Sequence, residues 1–395
     1  MRTIQSNCKI LLEHLFFLRY PILGNGDIQV KENKAYKFRI YPDGLQQKMF
    51  TNTFDSARFV HNKMLEDKIA YYEETGKMLK NTPAQYKKEY EFLKEVDSLA
   101  LSNAQLQLET AFRNFFRDKK IGFPKFKSKK NPRQSYTTNL VNGNIRIEGK
   151  KIRLPKVGEV RIKLHRKIPE GHIIKSVTVS REPSGKYFVS ILTEYEVPDT
   201  SVSLDKERSI GLDYSSPSFY VDSNGYIASM PHFFREAEKK LAKEQRKLSH
   251  MVKGSSNYNK QKRKVALAHE KVRNLRNDWQ HKESRRLAAL YDFVFVEGIN
   301  YKDMARGLHL AKATNDNAFG SFRTYLAYKL KAKGGKLIAI DKWYPSSKTC
   351  RHCGYIKHDL RLSDRVWVCP ECGCIIDRDV NAAINIKNEG LKAIS

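Results

Sequence analysis

Two kinds of residue in this chain have types and spacings that could do chemistry: thiols near the C-terminus, and acids set inside apolar runs. Cys350-x2-Cys353 and Cys369-x2-Cys372 are separated by fifteen residues, and each pair is followed by a glycine, Gly354 or Gly373. Two intervening residues let a tight knuckle aim both thiolates at one ion, and glycine allows the positive-φ turn that the knuckle needs. Four thiolates close a tetrahedron, so the spacing predicts a zinc ribbon whose one Zn²⁺ is structural and not catalytic. Cys374 is a fifth thiol, expected to be a bystander that could substitute for Cys372. Of the six cysteines only Cys8 lies outside this cluster, and such crowding points to metal rather than to disulfides.

The acids point to a harder cation. Asp213 interrupts Ile210-Gly-Leu-Asp-Tyr and Glu297 ends Phe293-Val-Phe-Val-Glu, both of which read as buried strands. A charge there is costly unless it is paired or binds metal. The third candidate lies in Asp377-Arg-Asp379-Val-Asn-Ala-Ala-Ile, where the chain leaves the cysteine cluster and enters a helix; the residues alone leave Asp377 and Asp379 both open. Carboxylates on two strands and a helix N-terminus can hold a pair of Mg²⁺ ions about 3.5–4 Å apart and clamp a phosphate for attack by water. That chemistry is phosphodiester cleavage.

Composition agrees on the partner. The 395 residues carry 73 Lys plus Arg against 43 Asp plus Glu, a net charge of +30, so a polyanion is expected. A mean hydropathy of −0.61 and the lack of a long apolar run argue against a membrane protein. The nearest approach, Ile10 to Leu18, is interrupted by Glu13 and His14 and closed by Arg19, with no cleavage site after it. The chain is therefore expected in the cytoplasm, with no membrane partner.

The elements that must position these residues follow from periodicity. Ala35 to Ile40 alternates like a strand and ends at Tyr41-Pro-Asp-Gly44, so the folded part is expected to begin there. From Leu45 to about Arg117 apolar residues recur at helical spacing (Phe50, Phe54, Ala57, Val60, Met64, then Leu99, Leu106, Phe116), with a break at Asn81-Thr-Pro83. The aromatics of this helical module are read as its own core rather than as a base-stacking platform. Lys125, Lys127, Lys129, Lys130 and Arg133 then crowd around two prolines and three aromatics, a segment that could contact phosphates. Short alternating stretches from Tyr136 to Val197 predict a small antiparallel barrel or sandwich, which the Ala35 strand could join, making the helical module an insertion. After Pro198-Asp-Thr200, strands alternate with helices, including a basic helical hairpin from Phe234 to about Leu290 broken at Gly254 to Asn257; this is an α/β domain with a partly parallel sheet. No helix-turn-helix or C2H2 finger emerges.

The order Gly211-Leu-Asp213, Val296-Glu297, Tyr344-Pro-Ser-Ser-Lys-Thr-Cys350-x2-Cys353-Gly, Cys369-Pro-x-Cys372-Gly and Asp377-Arg-Asp-Val-Asn-Ala-Ala closely resembles TnpB, the transposon-encoded relative of the type V CRISPR effectors. Tyr36-Lys-Phe-Arg-Ile-Tyr-Pro, Phe123-Pro-Lys-Phe-Lys-Ser-Lys-Lys and Gln134-Ser-Tyr agree, and the resemblance covers roughly residues 34 to 395. It implies a RuvC-like RNase H-fold nuclease (201–345 and 375–395) with Asp213, Glu297 and Asp379 as catalytic Mg²⁺ ligands; Asp379 is preferred over Asp377 because it occupies the family position before Asn-Ala-Ala. It implies a zinc-ribbon insertion (346–374), a β-barrel wedge domain (34–43 and 130–200) and an inserted helical recognition module (44–129). Residues 1–33 have no family counterpart and are expected to be a disordered extension. Gly298 stands where an acid is frequent, and Cys374-Ile-Ile precedes Asp377 where a histidine would be expected.

The activity implied is RNA-guided cleavage of double-stranded DNA. The guide RNA would be transcribed from the transposon end, and a short motif flanking the target would be read directly. The rivals are a nuclease-inactive, RNA-guided DNA-binding repressor, against which the intact acid set argues, and a transposase using the same fold.

Overall fold

The computed structural model describes residues 29–198, 202–215, 218–229, 231–298, 318–361 and 363–394. Cys8, the Ile10 to Leu18 stretch and residues 199 and 200 of the linker lie outside them. No helix among the described residues is long and apolar enough to cross a membrane.

The N-terminal half is built on seven antiparallel strands: β1 (Gln29–Tyr41), β2 (Gln134–Asn139), β3 (Arg146–Glu148), β4 (Lys151–Leu154), β5 (Gly158–Lys163), β6 (Ile173–Arg181) and β7 (Tyr187–Pro198). Their order is β2-β6-β7-β1-β5-β4-β3. Alternation in β1 buries Tyr36, Phe38 and Ile40 in one cluster with Tyr136 of β2 and Ile152 of β4, so the sheet curls around its own core. The outer strands β2 and β3 are not hydrogen-bonded to each other, which makes this a curled open sheet and not the closed barrel expected from the strand pattern. A second correction concerns where the fold begins. Gln29 to Asn33 belong to β1, pairing from Gln29↔Pro198 to Ile40↔Tyr187, so an extension ending at residue 33 is too long. The polar run Lys31-Glu-Asn33 carries no apolar period; a twelve-residue partner strand makes it a strand.

Between β1 and β2 lie α1 (Gly44–Thr75), α2 (Pro83–Glu89) and α3 (Ser98–Arg117). Asp43 and Gln46 form a capping box at the start of α1, and Gly76 ends it at φ 68°, earlier than the break expected at Asn81 to Pro83. Phe50, Phe54 and Ala57 of α1 pack with Ala100 and Ala104 of α3 onto the sheet core. The buried stripe of α3 runs through Ala100, Leu101, Ala104, Leu108 and Phe112. Leu106 and Phe116, expected in the core, are 51% and 60% exposed. α3 is apolar on more than one face, so periodicity could not say which face meets α1.

The C-terminal half has β8 (Ser209–Tyr214), β9 (Tyr220–Asp222), β10 (Ile227–Ala228), the basic hairpin α4 (His232–Ser249) and α5 (Ser256–Leu290), then β11 (Phe293–Glu297), α6 (Phe319–Lys331), β12 (Lys336–Ile340), the ribbon β13 (Val366–Val368) and β14 (Ile375–Asp377), and α7 (Arg378–Lys392). The sheet order is β10-β9-β8-β11-β12, with β8, β11 and β12 parallel and β9 and β10 antiparallel. β11 is apolar on both sides because both are covered. Val294 and Val296 pack with Leu287 of α5 and Leu326 of α6, while Phe293 and Phe295 pack with Ile386 of α7. α7 lies so close to β8 that a Cβ at Gly211 would overlap the carbonyl oxygen of Ala383. The two halves are tied by ion pairs: buried Glu182, which also meets Lys37 of its own half at 3.1 Å, meets Arg273 of α5 at 3.5 Å, and Lys186 meets Glu270 of α5 at 2.8 Å.

Candidate metal centres

Asp213 is near the end of β8 and Glu297 ends β11. The parallel register pairs Leu212 with Val296, which puts Asp213 and Glu297 side by side one residue further on. Leu212 and Val296 face the α5–α6 layer, so the period of two turns both acids to the face that α7 covers. Asp379 lies in the first turn of α7. Burial drives the Asp213 pKa well above the usual carboxylate range, the negative charges of Glu297 and Asp379 raise it further, and Arg378 and Arg365 offset part of this. No described residue donates a hydrogen bond to the Asp213 carboxylate. Burial also raises Glu297, against the Ser346 hydroxyl, which donates to Oε1 at 2.6 Å, and Arg378.

The two candidates on α7 are used differently. Asp377 is the N-cap, exposed, its Oδ1 accepting from the backbone N–H of Val380 at 2.9 Å. Asp379 acts on Asp213 and is met by Arg365 at 3.4 Å. Among the described residues, the oxygens of the three acids do not all fall within 4.8 Å of one another, the separation that one ion could bridge. Two ions about 4 Å apart, each with ligands near 2.1 Å, accept oxygens up to roughly 8 Å apart. A half-buried, all-oxygen set of acids gathered at one place fits a hard divalent cation.

The cysteine cluster is tighter. Sγ of Cys350, Cys353, Cys369 and Cys372 all lie within 4.8 Å of one another, with Cys350 to Cys372 at 3.7 Å and Cys353 to Cys369 at 3.5 Å. A zinc tetrahedron with bonds of about 2.3 Å has edges of about 3.8 Å, so these thiols fit Zn²⁺. Gly354 (φ 82°) and Gly373 (φ 69°) close the two knuckles with the same bond, each N–H donating to the carbonyl of the knuckle's first cysteine at 2.9 Å. Cys374 stands outside the four and packs partly buried against Leu360, Trp367 and Ile376. Within the Cys374-Ile-Ile stretch, where a histidine would be expected, Ile376 is wholly buried in the ribbon's small core.

The basic segment is held in place and exposed. Asn62 of α1 accepts from the Lys127 backbone N–H at 2.7 Å and donates to its carbonyl at 2.9 Å, and Lys127 Nζ donates to Gln107 of α3 at 3.0 Å. Lys125, Lys127, Lys129, Lys130 and Arg133 are all exposed. Among the described residues, no carboxylate lies within 4 Å of Lys125 or Lys130, while Lys129 and Arg133 have only loose partners, Asp55 at 3.8 Å and Glu182 at 3.7 Å. Replacing Lys125, Lys129 and Lys130 by glutamine is therefore expected to weaken nucleic-acid binding for all sequences alike. The slope of log affinity against log salt should shrink by roughly 0.7–0.9 per lost phosphate contact, as salt titrations would show. An unchanged slope would remove the segment from the interface.

Several residues at these centres escape sequence reasoning. Arg365 and Arg378 look like ordinary surface cations until the fold brings them beside the acids. Asn381 and Asn385 carry a faint signal, two asparagines four apart on the apolar face of α7, and both are buried. Gly298 has a packing reason: a Cβ there would lie 2.6 Å from the Ile340 carbonyl oxygen of β12, leaving no room for the acid that the resemblance led to expect.

Residues 319–386 match the family model described as "Cas12f1-like, TNB domain", residues 191–307 the one described as "Probable transposase", and residues 32–77 the one described as "Helix-turn-helix domain". In the last range the chain forms β1 and the single uninterrupted helix α1, so it has no helix-turn-helix geometry. The fold resembles that of the chain in the cryo-EM structure of a Cas12f1–sgRNA–target DNA complex (TM-score 0.57, 14% identity, 91% of this chain and 99% of that one). A mixed α/β protein of Cas12f1-like fold with an inserted four-cysteine ribbon is thereby defined. A Streptomyces pristinaespiralis protein provisionally named an RNA-guided DNA endonuclease is 37% identical over 378 residues (92% of this chain, 90% of the relative). InsQ of Escherichia coli K12, provisionally named in the same way, is 30% identical over 384 residues (91% and 93%). The chain belongs to the TnpB family.

Proposed function

We propose that this protein is an RNA-guided DNA endonuclease of a transposable element, with Asp213, Glu297 and Asp379 as its catalytic acids. The observation that carries the assignment is geometric: Asp213 and Glu297 stand side by side on the parallel strands β8 and β11, with Asp379 in the first turn of α7, near enough for its charge and that of Glu297 to act on Asp213. The sheet order β10-β9-β8-β11-β12, three antiparallel strands followed by two parallel ones, supports a RuvC-like RNase H fold. The curled sheet and α1 to α3 then serve as wedge and recognition modules that grip a guide RNA and the target duplex, and the four-cysteine ribbon carries one structural Zn²⁺. Two Mg²⁺ ions held by the three acids would neutralise the charge developing on the scissile phosphate and favour water as the nucleophile. The chain itself supplies the half-buried carboxylates, the Arg365 and Arg378 charges beside them, and the exposed cations that hold the nucleic-acid backbone. The relatives' names as RNA-guided DNA endonucleases support the same reading.

The test uses the purified RNA–protein complex with Mg²⁺. Changing the guide segment of the copurified RNA should redirect the cut to the newly complementary DNA. Equal cutting of a defined site by RNA-free protein, or a cut that ignores the new guide, would overturn the reading; joined rather than cut products would indicate a transposase.

A further inference from the structure

The zinc ribbon and the acid site are joined through one buried serine. Ser346 is 3% exposed and lies four residues before Cys350. Its hydroxyl donates to Glu297 Oε1 at 2.6 Å. Its carbonyl accepts from Asn385 Nδ2 at 2.8 Å and from Asn381 Nδ2 at 3.4 Å. The same two amides donate to the carbonyl of Thr349, at 2.6 Å from Asn385 and 2.7 Å from Asn381, and Asn381 Oδ1 accepts from the Arg351 N–H at 3.0 Å. Two asparagines of α7 therefore clamp the backbone on both sides of the first zinc ligand, Cys350. The helix that supplies the clamp also carries Asp379, and the clamped segment reaches Glu297.

Buried side-chain amides hold a backbone rigidly because an unmade hydrogen bond there costs the full desolvation of the group. The geometry points to Ser346 as a positioning residue. It fixes one oxygen of Glu297, leaves the other for a divalent cation, and makes that orientation depend on the zinc knuckle being folded. Outer-shell partners of ligating carboxylates act in this way, and losing one weakens metal binding about 10–100-fold. The inference rests on the assignment of Glu297 proposed above.

The experiment compares the complete RNA-bound protein with its Ser346→Ala, Ser346→Thr and Glu297→Ala variants. Two quantities are read: the Mg²⁺ concentration for half-maximal cleavage, and Mn²⁺ binding by calorimetry without substrate. Ser346→Ala is expected to raise both the half-saturating Mg²⁺ and the Mn²⁺ dissociation constant about tenfold or more with zinc content unchanged, and Ser346→Thr, which keeps the hydroxyl, to restore both. A Ser346→Ala protein with wild-type metal dependence, or one whose loss is in rate alone and is not rescued by threonine, would overturn the role of Ser346. Retained cleavage by Glu297→Ala would instead overturn the assignment of the acid. The link to zinc is read from the double variant Asn381→Leu, Asn385→Leu, which removes the clamp and no metal ligand. It should shift Mn²⁺ affinity in the direction of Ser346→Ala, and an unchanged affinity would sever the ribbon from the acid site.

Discussion

Asp213→Ala is expected to lower DNA cleavage at least about a thousandfold while leaving guide RNA and target binding intact, since on the proposed assignment the acid would hold ions and not the nucleic-acid backbone. Glu297→Ala and Asp379→Ala should behave alike, because members of one catalytic unit fail together rather than additively. Asp377→Ala separates the two acids of α7. As an N-cap whose carboxylate accepts from Val380, Asp377 should cost about 1 kcal/mol of stability and little activity. Loss of cutting in Asp377→Ala but not in Asp379→Ala would reverse the assignment.

The same site has a signature in stability. Burial and two neighbouring carboxylates raise the Asp213 pKa in the folded protein, so the fold favours the protonated acid, and this stabilisation is lost as pH rises through the raised value. In chelator, Asp213→Asn should therefore unfold at a higher temperature than the parent at about pH 7 to 8, with the gap closing toward acid pH. Divalent cation should stabilise the parent and not the variant. A variant less stable than the parent in chelator would mean that another group already compensates the Asp213 charge.

Removing zinc should have the second large effect. The ribbon's own buried cluster is Leu360, Trp367 and Ile376 with Cys350 and Cys369, too few apolar side chains to fold 346–374 without a cross-link. A structural zinc site with four thiolates supplies on the order of 10–16 kcal/mol. Purified protein should hold about one zinc per chain, and Cys350→Ser should lose it, become protease-sensitive between 346 and 374, and cut DNA poorly. Metal analysis without zinc, or a Cys350→Ser protein with unchanged zinc and stability, would refute the site.

Some of this protein is written in local sequence. Cysteine spacing with a glycine after each pair depends only on knuckle geometry over five residues, and the structure brings those four sulfurs together. An acid inside Ile210-Gly-Leu-Asp or at the end of Phe293-Val-Phe-Val-Glu stands out because burial makes a lone charge costly wherever the strand lies in the fold. The alternation of β1 and the α4–α5 hairpin are likewise local periods.

Tertiary structure decided the rest. Gln29 to Asn33 form a strand only because β7 is long enough to pair them, and the strand pattern of the N-terminal half cannot say whether β2 and β3 meet. Helical spacing marked α3 as amphipathic, but which of its apolar residues are buried depends on the neighbour, so Leu106 and Phe116 ended outside. The same holds at the acids. Asp377 and Asp379 are two residues apart and chemically alike, yet α7 turns one into a cap and sets the other toward Asp213. Ser346, Asn381, Asn385, Arg365 and Arg378 join the centres through contacts 14 to 49 residues apart in sequence or through a field that no local pattern encodes. Composition and spacing can name a residue's chemistry because that depends on its own atoms and near neighbours; its role depends on what long-range packing places beside it.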